Sequence, residues 1–519
     1  MSFYHEIRKF LPNKTPENYV WVLYDQLSIF HPILKTSIPQ KTCLIFIETS
    51  QKPKLRPYHK QKLTLLLSSM RHFALEKAEE GFSILYQYSE RTYAETIQDI
   101  RKTFKIPKIR LLEPSEFEVR KDLVGLEFLE IQENSLFLSS KADFDQVFPN
   151  GKKRFLQETF YRFMRKKYSI LMEKDNKTPN GGKWNYDLKN RSAWKKTDPV
   201  PKPFPKLEKD AITLEVMDLV QNRYKEHYGN LNQFDWPVTR KQAMAFLEHF
   251  FQHLLPNFGK FEDAMSVKEP FLFHSRLSAL VHLGLLHPME LITAALKQYS
   301  EKKVSIESVE GFVRQILGWR EYMRHVYSTR EQFFQETNFF QMENRLPDFF
   351  WKADSTMTCV DQTVETVLEH GYSHHITRLM VLSNLSNLLE VNPNELNEWF
   401  WFAYVDAFEW VVTPNVKGMG TFADGGLTAS KPYIASGNYI QKMGNEFCKN
   451  CKFDPKKSTE ENACPLNSLY WNFIDSHKDF YKKLGRPDFS ISHWEKMDPE
   501  KKTAILEKAK LVRKKLLKS

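Results

Sequence analysis

Cys43-Leu44-Ile45-Phe46-Ile47-Glu48, a helical stretch from His59 to Glu80, then Phe82-Ser83-Ile84-Leu85-Tyr86-Gln87-Tyr88: this succession decides the fold of the first half of the chain. The two short runs are apolar and rich in branched and aromatic residues, as buried strands are. Between them Leu63, Leu66, Leu67, Met70, Phe73 and Leu75 recur mainly at spacings of three and four, and Gly81 supplies a stop. Strand, helix, strand in this order is a crossover unit of a parallel sheet. The pattern extends both ways. Val20–Tyr24, Ile109–Leu112 and Leu126–Ile131 read as further strands, and Tyr93–Phe104 and Phe117–Val124 as helices. No Gly-x-Gly-x-x-Gly follows the first strand, so the usual dinucleotide fingerprint is absent.

Residues 1–145 are therefore expected to form a Rossmann-like parallel α/β domain, its first residues an extension. Residues 146–236 change texture. A basic aromatic helix over Phe155–Tyr168 precedes a Gly- and Pro-rich run, Pro179-Asn180-Gly181-Gly182-Lys183-Trp184-Asn185-Tyr186-Asp187, and then Pro199–Pro205. This density of Pro and Gly predicts an extended linker. From 237 to 519 helical periods dominate: Lys241–Leu254, Pro288–Tyr299, Ser305–Tyr327, Val360–Glu369, His375–Leu389 and Asn394–Val405, with a Gly-rich break between Trp410 and Tyr439. The third segment is expected to be an all-helical domain.

Charge sharpens that division. The 519 residues carry a net +11. Lys152 to Lys206 holds 16 Lys/Arg against 5 Asp/Glu, the whole of the excess, and the rest of the chain is neutral. A solvated charged run is the plain reading; a strap facing a polyanion is the sharper one, because clustered cations release counterions from phosphate chains. The start of the chain lacks a signal-peptide layout, and no apolar run is long enough for a membrane span. The aromatic run Trp399–Val412 is short and contains Asp406 and Glu409. Five Cys in a chain of this length are no disulfide scaffold and predict an intracellular, cytoplasmic protein.

Four of those Cys fall in the helical segment: Cys359, then Cys448-Lys449-Asn450-Cys451, then Cys464-Pro465. A CxxC sets two thiolates on one turn, as a shared metal or cluster requires. Four thiolates suit a structural zinc or a 4Fe–4S cluster; the remote Cys359 favours the cluster. Cys43 sits on a core strand and reads as a small apolar side chain.

Two more segments carry chemistry. In His274-Ser275-Arg276-Leu277-Ser278 hydroxyls and an Arg open a helix, a phosphate-binding arrangement, and Gly284 lies in the apolar face that follows. In Gly371-Tyr372-Ser373-His374-His375-Ile376-Thr377-Arg378, His375 and Arg378 share one helical face. A His beside an Arg is placed for proton work, since imidazole gives and takes a proton near neutral pH.

Together these segments resemble the photolyase/cryptochrome family. His-Ser-Arg-Leu-Ser is similar to that family's Thr-Ser-x-Leu-Ser flavin-phosphate loop, with His274 where Thr is usual. His374-His375-x-x-Arg378 looks like the (6-4) photolyases; enzymes for cyclobutane dimers usually carry Asn at the position of His375. The four Cys, Phe422-Ala423-Asp424-Gly425-Gly426, Ala429-Ser430-Lys431-Pro432-Tyr433, Asp25-Gln26-Leu27-Ser28 and His59-Lys60-Gln61-Lys62 are similar to the bacterial iron–sulfur branch. The resemblance covers nearly all of the chain after Tyr19.

It implies FAD held in the helical domain by Ser275, Arg276, Leu277 and Ser278. Arg378 would orient an acidic partner, Asp406, beside the flavin, and the Gly418–Gly426 loop would line it. It implies a 4Fe–4S cluster on Cys359, Cys448, Cys451 and Cys464, and electron transfer through Trp399 and Trp351, with Phe400 where a Tyr usually follows. His375, with His374 beside it, takes the proton role, and Tyr433 is a lesion-pocket residue. Lys183 and Arg191 would grip the phosphates of UV-damaged DNA. The protein would act as a monomer with no obligatory protein partner. A blue-light receptor on the same scaffold is the alternative function. The resemblance also implies a 6,7-dimethyl-8-ribityllumazine antenna contacted by Asp25. Here the chain departs from the pattern: Tyr24 replaces a Gly, and Lys52 and Leu55 replace a Glu and a Tyr. The antenna is then bound differently, is another chromophore, or is absent.

Overall fold

The computed structural model describes residues 2–149, 154–483 and 489–518. Lys152 and Lys153, the start of the basic segment, lie outside them. Five strands form one fully parallel sheet: β1 (Asn18–Trp21), β2 (Thr42–Thr49), β3 (Ser83–Ser89), β4 (Ile109–Leu112) and β5 (Leu129–Gln132). Their order is β3-β2-β1-β4-β5. The chain thus winds to one side of β1 and then to the other, and the crevice at the carboxyl ends of β1 and β4 is where such sheets bind ligands. Every expected strand is present, with ends shifted by up to three residues; the last begins at Leu129 rather than Leu126.

The helix between β2 and β3 spans Lys60–Glu79, with His59 as its N-cap. Its first turn is a bolt between the halves of the molecule. His59 N donates to Phe402 O (2.8 Å), the His59 ring meets Val367 O (2.9 Å), and Lys62 Nζ donates to Trp401 O (2.7 Å) and to Ala407 O. Gly229 and Gly371, both at positive φ, let backbone pass against the His59 ring; a Cβ on Gly229 would lie 1.9 Å from it. Lys62 is buried, and burial pulls its ammonium down to about 7. One apolar cluster runs unbroken from Val20, Ile45 and Leu111 of the sheet to Leu280, Val313 and Trp410 of the helical part.

The basic segment is more structured than its composition suggests. A helix spans Gln157–Tyr168, short turns cover Asn180–Gly182 and Asp187–Lys189, and a further helix, Ala211–Arg223, packs on the helix Lys60–Glu79. The Pro and Gly residues mark corners, while Tyr186 and Asn190 are buried and tie the strap down. Two more differences concern the helical part. Helical structure continues from Glu409 through Pro414 to Gly420, so the loop opens only at Thr421. Pro414 sits where the helix widens, and the wider turn accommodates its ring and missing N–H. Gly284 does not lie within a helix but ends the helix Ser278–Leu283 at φ 91°, where Leu27 N donates to Leu283 O (2.8 Å). Among the described residues no helix is long and apolar enough to cross a membrane.

Candidate functional site

The helix Thr358–His370 stops at Gly371 (φ 61°), and the chain re-enters a helix at His375. This break brings His374, His375 and Arg378 toward the loop that opens at His274. Arg378 donates to Asp406 from both guanidinium ends (3.0 and 3.1 Å) and from Nε to Ser373 O (2.7 Å). Asp406 also accepts from Ser278 Oγ (2.7 Å). The expected Arg378–Asp406 pair therefore forms, and it links the serine loop to the histidine helix. Burial raises the Asp406 carboxyl, but the facing Arg378 outweighs it and leaves the carboxyl below its ordinary range.

Three imidazoles meet above this pair. His274 stacks on His374 (centroids 4.4 Å, 6° between planes) and stands edge-on to His375 at 5.3 Å. Burial, then the neighbouring imidazoles and Arg378, push His274 and His374 well below 6.5, so both are neutral at pH 7. His375 is 47% exposed, with Nε2 3.8 Å from Asp263 Oδ1. His274 was not singled out from sequence as a site residue; its place in the loop, where Thr is usual, was the signal available.

The remaining loop residues divide. Ser278 faces the pair. Ser275 Oγ accepts from Leu277 N (3.3 Å), and Leu277 is buried. Arg276 adopts φ 53° and turns to Asp235 (2.6 and 2.9 Å). Buried His274 Nε2, His374 Nδ1 and Arg276 Nε have no hydrogen-bond partner among the described residues. Such atoms are costly unless a ligand satisfies them. Histidine, serine and arginine donors together fit FAD, which presents phosphate and ring oxygens.

Trp399 is fully buried and donates to Phe350 O (3.2 Å), whereas Trp351 is 40% exposed. Tyr404 stands between Trp399 and the site. Its ring is 5.7 Å from that of Trp399 and 4.2 Å from the Arg378 guanidinium, and its hydroxyl lies 2.9 Å from Ser373 Oγ. Sequence reading missed Tyr404, which follows the aromatic run Trp399–Phe402 after a single Ala403. Phe400 stacks on it at 5.2 Å. In the loop, Asp424 accepts from Thr428 and Gly426. Tyr433 is 43% exposed; partial burial raises its hydroxyl, Arg191 opposes this, and the Asp187 and Asp263 carboxylates add to it. Lys183 and Arg191 are exposed on the strap, Arg191 3.8 Å from Asp263.

Cys359, Cys448, Cys451 and Cys464 are free and line one cavity of about 330 Å³ with Met357, Phe447 and Phe453. A Cβ on Gly437 would come 2.8 Å from Cys464 Sγ, so this glycine gives the sulfur its room. Burial pushes the Cys359 thiol well up, Cys448 to about 11 and Cys464 to about 12. A bound cation reverses that. Among the described residues, His274, His374 and His375 form the group whose ligand atoms all lie within 4.8 Å of one another; the four sulfurs are spread wider. One tetrahedral zinc would hold sulfurs about 3.8 Å apart, from Zn–S bonds near 2.3 Å. The donor set fits a larger cluster.

The crevice at the sheet is arranged otherwise. Tyr24 lies between Tyr93 (6.3 Å) and Phe408 (6.2 Å) and donates to Glu116, which also binds Lys52 (2.6 Å). These residues border an apolar cavity of about 630 Å³ reaching Leu67, Met70 and Trp401. Asp25 borders a different, smaller cavity with Ser115, His282 and Arg320. It accepts from Ser115, and burial raises its carboxyl to about 6. Leu55 is 67% exposed. The contacts expected for a lumazine on Asp25 are thus split between two cavities, and the residues present do not fit that set.

The comparisons with known proteins meet this geometry. Residues 20–236 match the family described as deoxyribodipyrimidine photo-lyase-related protein. The chain is 35% identical over 500 residues to the (6-4) photolyase of Agrobacterium fabrum, covering 94% of this chain and 98% of that one. The chain belongs to the photolyase family. Solved photolyase-family structures share its fold. A cryptochrome from Synechocystis aligns with TM-score 0.60 at 16% identity, covering 94% of this chain and 99% of that chain. A bacterial class III photolyase from Agrobacterium tumefaciens aligns at 0.57 and 16%, covering 98% and 99%. The N-terminal α/β and C-terminal helical architecture expected from sequence is that of photolyases and cryptochromes.

Proposed function

We propose that the chain is a light-driven DNA repair enzyme that reverses (6-4) pyrimidine–pyrimidone photoproducts. The observation that carries this reading is His375, half exposed at the head of its helix and backed by two neutral imidazoles. FAD bound here in its reduced form would supply the light-driven electron donation that the reaction needs. The protein's own residues do the rest. Ser278, Arg378 and Asp406 would hold the cofactor, and His274 and His374, kept neutral, would offer N–H groups without adding charge. A (6-4) lesion has moved a hydroxyl or amine between bases, so reversal needs a proton delivered to that group and taken back. His375 Nε2 carries that proton, with Asp263 steadying the ring. The reaction is an isomerisation and consumes no net proton. Tyr433 and Arg191 edge the mouth into which the damaged bases turn. Trp399 and Tyr404 form the inner part of an aromatic route from the site, and Trp351 its exposed end.

Cys359, Cys448, Cys451 and Cys464 hold a 4Fe–4S cluster in this reading, and residues 146–236 form the strap that meets the duplex. The protein works as a monomer. No antenna is assigned to Asp25. The test is an oligonucleotide duplex carrying one (6-4) lesion, incubated with the purified protein in blue light and in the dark. Thymines restored only in the light are the expected result. A flavin-containing protein that restores none is a photoreceptor instead.

A further inference from the structure

Leu188 is 89% exposed, more than any other large apolar side chain among the described residues. A lone exposed leucine is ordinary in itself. What sets this one apart is how it is presented. It is the tip of the turn Asp187–Lys189, and the turn is fastened on both sides. Arg314 pairs with Asp187, Lys189 binds Glu307 (2.5 Å), Tyr186 N donates to Glu310 (3.1 Å), and Asn190 Nδ2 donates to Glu262 (2.9 Å). An apolar tip is thus held out rigidly where a collapsed loop would have buried it.

Its surroundings point to one kind of partner. Lys183, Lys189 and Arg191 flank it on the strap. Asp263 joins this turn to the site, 3.8 Å from Arg191 on one side and 3.8 Å from His375 on the other. Cations around an apolar point, at the rim of a site that takes extruded bases, suit a duplex: phosphates outside, an opened base step in the middle.

We propose that Leu188 is a positioning residue that enters the base stack beside the lesion and fills the gap left when the damaged bases turn toward His375. This rests on the repair reading. Extrusion costs a few kcal/mol of stacking, and an apolar wedge recovers part of it. A fixed turn spends less entropy in doing so than a mobile one.

The test compares Leu188→Ala and Leu188→Met with the wild-type holoprotein, on a lesion in duplex and the same lesion in a single strand. A 2-aminopurine beside the lesion reports unstacking. A wedge has work only in the duplex. Leu188→Ala is expected to lower the duplex-to-single-strand affinity ratio about tenfold, on the scale of one unstacked step, and to reduce the 2-aminopurine signal; Leu188→Met is expected to restore most of both. An unchanged ratio, or equal losses on both substrates, would overturn the wedge while leaving repair intact. A wild-type protein that does not distinguish lesion from intact duplex would overturn the repair reading together with it.

Discussion

The four-cysteine cavity and the crevice at the sheet are both buried and both lined by ionisable groups, yet they are finished differently. Around Cys359, Cys448 and Cys464 burial makes thiolate costly, and the neighbouring sulfurs add to that cost. In the crevice Lys52, Glu116 and Tyr24 satisfy one another. The difference separates a site whose charges await a partner from one whose charges are already matched. The histidine cluster, with unpartnered nitrogens on His274 and His374, is of the first kind.

The largest expected effect breaks the first member of the pair. Cys464→Ala should strip iron and labile sulfide from the purified chain and leave little soluble protein, since such centres supply folding free energy directly. Full iron retention would remove the cluster assignment. Next, Lys52→Met leaves Glu116 buried and unpaired, and should cost about 3–5 kcal/mol in urea unfolding, while Lys52→Met with Glu116→Met recovers most of it. Equal losses in both variants would show that the triad is not self-contained. The pair has a pH signature. Burial raises Glu116, but Lys52 and the hydrogen bonds from Glu409 N and Tyr24 outweigh it and hold the carboxyl at about 2, against an ordinary 4.5. A carboxyl lowered on folding contributes stability above its unfolded value. That stability should be lost as pH falls from 4.5 to about 2, and the loss should be absent from the double variant.

A smaller effect concerns the strap. Lys183→Ala with Arg191→Ala should weaken DNA binding at all sequences and flatten the slope of log K against log salt by about two, one per phosphate contact. An unchanged slope would move the DNA elsewhere on the surface.

The sheet and most helices were legible in the sequence because both report the local periodicity of buried side chains. The four Cys were legible from their spacing, and Arg378 with Asp406 through the family resemblance. What escaped was non-local. The helix Ala211–Arg223 carries its own apolar face, with Val216 and Val220 buried, but the Pro- and Lys-rich run before it masks that signal, and one of its docking contacts, Arg71 to Glu215, spans 144 residues. Tyr404 cannot be told from its aromatic neighbours until Arg378 is seen beneath it. The strap's order comes from ion pairs to a helix more than a hundred residues away, which no local pattern records. Asp25 matched the family by its neighbours in sequence, but Tyr24 and Lys52 rearranged the space around it.

The central claim is that His375 carries the proton of repair. Single-turnover repair of a (6-4) duplex under blue light, by wild type and His375→Ala of equal flavin content, tests it most directly. The account predicts a repair rate lower by about 10²–10⁴-fold in the variant, the usual worth of a positioned acid–base group, with lesion binding within a few-fold of wild type. Repair at the wild-type rate by His375→Ala would contradict it.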